Sequence, residues 1–128
     1  MEKWQKKING KMKFKNGDEY DGYWENNEIN GNGIMIYNNG DKYNEEWINA
    51  IFIYGIIQYN NGDEFKGKIE NNKKERKGIM KYKNGDEYNG NWKEDKREEY
   101  GIYKFKSGDL IKVKYINDKT INGTIQYI

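Results

Sequence analysis

The sequence predicts an all-β protein: a single-layer antiparallel sheet built from consecutive β-hairpins. Three observations carry this. A Gly-Asp pair recurs at Gly17-Asp18, Gly40-Asp41, Gly62-Asp63, Gly85-Asp86 and Gly108-Asp109, in steps of 23, 22, 23 and 23 residues. Such self-similarity marks a repeat architecture. The segments on both sides of each pair alternate with period two, the pattern of half-buried strands. Finally, aromatic residues make up 16% of the chain although 34% of its 128 residues are charged. There are many rings to bury, and little aliphatic mass for a thick core.

Each element follows from that frame. Ahead of the Gly-Asp pairs lie strands of the form Gly-x-apolar-x-aromatic: Gly10 to Phe14, Gly33 to Tyr37, Gly55 to Tyr59, Gly78 to Tyr82 and Gly101 to Phe105. A sixth, Gly123 to Tyr127, begins a further unit. Behind the pairs come Tyr20-x-Gly22-x-Trp24, Tyr43-x-Glu45-x-Trp47, Phe65-x-Gly67-x-Ile69, Tyr88-x-Gly90-x-Trp92 and Ile111-x-Val113-x-Tyr115. No segment carries a 3.6-residue stripe, so no helix is expected. The connecting loop is set by parity. A two-residue Asn16-Gly17 turn would send Met12 and Phe14 to the face opposite Tyr20 and Trp24. A three-residue loop, Lys15-Asn16-Gly17, keeps them together and puts Gly17 in the left-handed position that glycine tolerates best. Gly10, Met12, Phe14, Tyr20, Gly22 and Trp24 then share one face, with Lys11, Lys13, Glu19 and Asp21 on the other. Every later repeat obeys the same rule. Stacked hairpins let each Tyr and Trp lie across a glycine of its own or a neighbouring unit, which buries ring area without a second layer.

Composition excludes much chemistry. The chain has no Cys, no His and no Pro. Disulfides, thiolate or histidine metal sites, Cys nucleophiles and Ser-His-Asp arrangements are therefore absent. The longest apolar stretch, Ile51 to Ile57, is too short to span a bilayer as a helix. Met1 to Lys7 lacks the apolar core of a secretory signal. A formal charge of +2, from 23 basic and 21 acidic residues, does not suggest a nucleic-acid binder. Mean hydropathy of −1.28 would point to disorder were the rings not there. A cytoplasmic protein fits these exclusions best.

The repeat resembles the MORN repeat, whose consensus reads approximately Tyr-x-Gly-x-Trp-x-x-Gly-x-x-x-Gly-x-Gly. Tyr20-x-Gly22-x-Trp24 through Gly31-Asn32-Gly33 is the closest match, and Tyr88-x-Gly90-x-Trp92 repeats its core. The similarity runs from about Gly10 to Tyr127, with residues 1–9 expected as a lead or cap and residues 10–128 as the array. The chain also departs from the consensus. The Gly three residues after the Trp position is replaced by Asn27, Ala50, Asn72, Asp95 and Asp118. The first Gly of Gly-x-Gly survives only at Gly31, with Ile53, Arg76, Glu99 and Ile121 elsewhere. Glu45 and Val113 replace the glycine between the aromatics. The resemblance implies an elongated, twisted antiparallel sheet of consecutive hairpins, serving as a scaffold or interaction module; in so thin a sheet the missing His and Cys argue against enzymatic activity. It also implies protein partners, in many relatives cytoskeletal, or anionic membranes; no cofactor follows from it.

Candidate contact residues follow from these faces. Tyr20, Trp24, Tyr43, Trp47, Phe65, Tyr88 and Trp92 line an aromatic face that a one-layer sheet is expected to leave uncovered on one side, and a large exposed aromatic patch marks an interaction site. Thr124, Ile125, Gln126 and Tyr127 form an uncharged terminal strand whose edge is a template for a partner or a second copy. Lys73, Lys74, Arg76 and Lys77 make the densest basic cluster, suited to anionic lipid. The Lys-rich lead, with Trp4, is expected over the opposite edge. Glu45-Glu46 and Glu98-Glu99 read as surface carboxylates, since acid-base work needs a pocket. The Asn-Gly-Asp loops lack the ligand spacing and closing Glu of a calcium loop. Their aspartates are expected to support turns through backbone hydrogen bonds. The glycine-rich segments lack the helix and Lys-Ser/Thr of a phosphate loop.

Overall fold

The computed structural model describes residues 7–121 and 125–128, in two compact units, residues 1–60 and 61–128. All its regular elements are strands. The first unit holds β1 (Lys7–Lys13), β2 (Glu19–Glu25), β3 (Glu28–Ile36), β4 (Lys42–Ile48) and β5 (Ile51–Gln58), each antiparallel to the next. The second holds β6 (Glu64–Glu70), β7 (Lys73–Lys81), β8 (Glu87–Lys93), β9 (Lys96–Lys104) and β10 (Leu110–Ile116), paired in the same way. The short β11 (Lys119–Thr120) and β12 (Gln126–Tyr127) both pair with β10. β1 begins at Lys7, so Lys7, Ile8 and Asn9 pair with Glu25, Trp24 and Tyr23. Trp4, expected over this edge, lies outside the described residues.

The Gly-Asp loops have three residues, as parity requires. Phe14 N–H donates to the Asp18 carbonyl at 2.8 Å, and Gly17 N–H to the Phe14 carbonyl at 3.0 Å. The same pair of bonds closes the loops at Tyr37, Tyr82 and Phe105. Gly17 has φ +99°, a left-handed conformation that costs glycine little. Register follows: Met12 sits opposite Tyr20 and Gly10 opposite Gly22, on the face predicted.

The other turns have two residues, both left-handed, as in a type I′ hairpin. They are Asn26-Asn27, Asn49-Ala50, Asn71-Asn72, Glu94-Asp95 and Asn117-Asp118, with φ between 48° and 69°. The second of each pair is where the MORN consensus has glycine. Asn and Asp tolerate this conformation through local hydrogen bonding, whereas Ala50 does not. Just past each turn the ladder slips. β3, β7 and β9 each carry two extra residues there, and Gly31 (φ +92°), Arg76 (+61°) and Glu99 (+58°) take left-handed conformations in the slip. β5 carries one extra residue, Ile53. This is where the 22-residue repeat loses its missing residue.

Glycine pairs give the rings their place. Gly22 lies opposite Gly33, Gly67 opposite Gly78, and Gly90 opposite Gly101. Tyr20, Phe65 and Tyr88 lie over these pairs so closely that a Cβ on Gly33, Gly78 or Gly101 would collide with the ring. Those rings are 1%, 0% and 0% exposed. The core of each unit is therefore one face of its sheet, floored by glycine.

Two substitutions test this account by urea denaturation. Gly101→Ala, which drives a methyl group into Tyr88, is expected to cost about 1–3 kcal/mol. Ala50→Gly relieves the left-handed alanine at the loss of some unfolded-state entropy, and is expected to stabilise by about 0.5–1 kcal/mol.

Candidate functional site

The aromatic face is assembled from edge-to-face contacts. Tyr20 meets Trp24 and Trp47 with ring centroids 5.2 and 6.0 Å apart, and Tyr88 meets Trp92 and Tyr115 at 5.4 and 5.3 Å. Each tryptophan among the described residues also ties its repeat to the one before. Trp24, Trp47 and Trp92 donate their indole N–H to the carbonyls of Gly10, Gly33 and Gly78, at 3.2, 3.2 and 3.1 Å. The Tyr20 and Tyr88 hydroxyls donate to the carbonyls of Tyr23 and Asn91. Burial pushes the Tyr88 hydroxyl up to about 12, and burial beside Tyr43 and Asp18 does the same at Tyr37. A single layer was expected to leave these rings uncovered, and that exposure is not observed. Trp47 and Trp92 are 2% and 5% exposed, and Tyr20, Phe65 and Tyr88 are fully covered. The glycine floor, the neighbouring rings and the residues after each turn enclose them. Only Trp24 and Tyr43 stay half-exposed. Tyr43 lacks a glycine pair beneath it, because Glu45 stands opposite Gly55.

The residue two places after each of the first four turns completes the cover, whereas Thr120 after Asn117-Asp118 is exposed. In the first unit it is apolar, Ile29 or Phe52, and buried. In the second it is cationic. Lys74 Nζ lies 5.7 and 5.4 Å from the ring centroids of Phe65 and Trp92, and the Arg97 guanidinium 4.6 Å from that of Tyr115. Each cation is held by the carboxylate of the next turn, Lys74 by Asp95 at 3.4 Å and Arg97 by Asp118 at 2.9 Å. Lys74 therefore leaves the basic cluster predicted from sequence, because its methylene stem and charge are drawn over the rings. Lys73, Arg76 and Lys77 remain exposed. The four do not form one group.

The aspartates of the Gly-Asp pairs do more than support their own turns. Asp18, Asp41, Asp63 and Asp86 each accept, at 2.8 Å, the backbone N–H of the corresponding loop one repeat on, at Asn38, Asn60, Lys83 and Lys106. Asp86 also accepts the Tyr103 hydroxyl at 2.7 Å, which holds its carboxyl below the usual range. Two glutamates, of which only Glu98 was among the predicted surface acids, have similar structural uses. Glu98 accepts the Asn117 N–H, and Glu75 that of Glu94. A depression of about 450 Å³ in the first unit is lined in part by Lys11, Lys13, Glu19, Asp21 and Ile34. Its carboxylates face lysines, with Lys13 Nζ 3.9 Å from Glu19.

At the terminal strand, Tyr127 pairs with Ile111 and Gln126 with Lys112. Thr124 lies outside the described residues. Ile125 is 47%, Tyr127 86% and Ile128 71% exposed. Tyr127 occupies the place opposite Ile111 that Tyr103 holds opposite Tyr88, so it does not repeat the role of Phe105. Two further features are not apparent from linear clusters. The outer face of the first unit exposes Tyr23, Ile34 and Tyr54 among its charges. The charge is also uneven: residues 1–60 carry a formal −2 and residues 61–128 a formal +4. A count by halves would have found that.

Successive hairpins with rings lying on paired glycines define a β-repeat protein. The chain belongs to the MORN-repeat family: residues 20–42, 65–87 and 88–110 match the MORN repeat, together more than half of its length. The unmatched repeat between the first two is the one shortened by a residue and carrying Glu45 for glycine. MORN repeats are in general protein- or membrane-interaction repeats without enzymatic activity. No helix among the described residues is long and apolar enough to cross a membrane. Comparison with curated proteins gave no match.

Alkaline titration tests the enclosure of the rings. The Tyr88 hydroxyl is raised from 10.0 in the unfolded chain to about 12 in the fold. The stability it contributes is then fully present below pH 10 and lost as pH rises through 12. Tyrosinate absorbance should show a late component that shrinks in Tyr88→Phe. An unchanged late component would mean that this ring is not enclosed.

Proposed function

We infer that the chain is a non-enzymatic MORN-repeat scaffold that joins another polypeptide by strand addition at the terminal strand. The observation that carries this reading is the pairing of β12. It bonds to β10 alone, so among the described residues its outer edge has no partner, and Ile125, Tyr127 and Ile128 expose apolar side chains beside it. An unpaired edge offers N–H and C=O groups in the spacing another strand requires. Trp24 and Tyr43 are the members of the aromatic face that a partner can still touch; the buried rings hold the fold. The partner is a protein, cytoskeletal or a second copy of this chain, and the setting is the cytoplasm. Binding to an anionic membrane through Lys73, Arg76 and Lys77 is the competing reading, weakened by the withdrawal of Lys74.

Removing residues 123–128 tests the edge. Solution mass by light scattering, or recovery of a partner that the full chain retains, is expected to fall. If both are unchanged, strand addition there is wrong. Flotation with phosphoinositide vesicles, abolished by neutralising Lys73, Arg76 and Lys77, would favour the membrane reading instead.

A further inference from the structure

We propose that the outer face of the second unit is a docking strip for an acidic, extended polypeptide segment, seated on Lys66, Lys77, Lys112 and Lys114 around Tyr100. Two rows of the sheet make it. In the first, Lys66 of β6 lies opposite Ile79, Ile79 opposite Asn89, Asn89 opposite Ile102, and Ile102 opposite Lys112 of β10. Directly opposed residues of antiparallel strands share a face, so this row spans five strands with a lysine at each end. In the second row, Lys77 lies opposite Asn91 and Tyr100 opposite Lys114. The Asn91 side-chain amide donates to the Tyr100 carbonyl at 3.2 Å and links the two pairs. Lys112 and Lys114 hold their ammonium groups 5.0 and 5.6 Å from the Tyr100 ring centroid, and that ring is 44% exposed. Cations, amides and an accessible ring therefore form one surface.

The first row contains no carboxylate; in the second, Glu98 lies opposite Asn91, with its carboxylate accepting the Asn117 N–H. Toward the three-residue loops Glu64 and Glu87 alternate with Lys81 and Lys104, Glu87 lying 3.8 Å from Lys104. Toward the two-residue turns stands Glu75, opposite Lys68, with its carboxylate accepting the Glu94 N–H. The strip is thus roughly 7 Å wide along the strands and roughly 19 Å long across them. A single extended chain of about six residues fits within it. Charge complementarity selects an acidic segment, whose apolar residues would meet Ile79, Ile102 and Tyr100. The strip rests on the reading of the chain as a protein-binding module. It adds a surface separate from the strand edge and states the chemistry of its partner.

Fluorescence anisotropy of a labelled peptide of alternating Glu and Leu, titrated with the full chain at physiological ionic strength, tests the strip. Lys66→Gln, Lys77→Gln, Lys112→Gln and Lys114→Gln together are expected to weaken binding roughly tenfold or more. A control variant with Lys83, Lys93, Lys96 and Lys119 changed to Gln loses the same charge outside the strip, and should stay within about twofold of the parent. Circular dichroism and Tm establish that both variants fold. The proposal is overturned by equal loss in both variants, or by no binding of the parent. Strip-dependent preference for anionic vesicles or a single-stranded oligonucleotide over the peptide would also overturn it. Peptide binding that survives removal of residues 123–128 separates this surface from the edge. Loss of the strip leaves strand addition standing, and failure of strand addition leaves the strip to be judged by the peptide alone.

Discussion

An aromatic ring can lie flat on a β-sheet only where the strands beneath it carry no side chains. In this protein the requirement is met by pairs of glycines that face each other across adjacent strands. Tyr20, Phe65 and Tyr88 each rest on such a pair. A ring of this size buries on the order of 150–250 Å², which a thin sheet obtains in no other way. The loops must then have an odd number of residues, since an even loop would move the ring to the face opposite its strand partner. The slips past each turn must return the chain to the glycine register. Tryptophan at the end of the motif reaches the preceding repeat because the glycine carbonyl beneath it is unobstructed.

The second repeat shows what happens when this condition fails. Glu45 takes the place of a floor glycine, and Tyr43 stays half-exposed against Tyr37 and Phe52. The same repeat is one residue short, and a one-residue bulge absorbs the deficit at Ile53. Such a bulge exchanges the faces of the strand on either side of it. Phe52 is thereby kept on the ring face with Gly55 and Ile57. The departure from the family pattern and the local geometry are therefore one compensated change.

Polarity enters the architecture as ladders. One row of loops is joined by aspartate carboxylates that accept backbone N–H groups one repeat on. On the opposite row, the second residue of a turn donates to the carbonyl of the covering residue, as Ala50 does to Ile29, Asp95 to Lys74 and Asp118 to Arg97. Stability then accumulates from neighbour to neighbour, as expected of repeat proteins. With the rings enclosed by this framework, the apolar surface left accessible lies on the outer face, at the half-exposed Trp24 and Tyr43, and at the terminal strand.

The period, the three-residue loops, the face shared by Met12, Tyr20 and Trp24, and the absence of helix were legible in the sequence. Each is dictated by short-range alternation and turn chemistry, which depend on residues close together in the chain. The enclosure of the aromatic face was not legible. Whether a ring is covered depends on which residue beyond the turn folds over it, as Lys74 does over Phe65 and Trp92. The linear cluster of Lys73, Lys74, Arg76 and Lys77 dissolved for the same reason. The basic rows of the second unit formed instead from lysines as far apart as Lys66 and Lys112. Sequence determines which side of a strand a residue takes, because that follows from counting by twos. Tertiary structure alone decides what lies across from it, because register between strands is set by loops and bulges acting together.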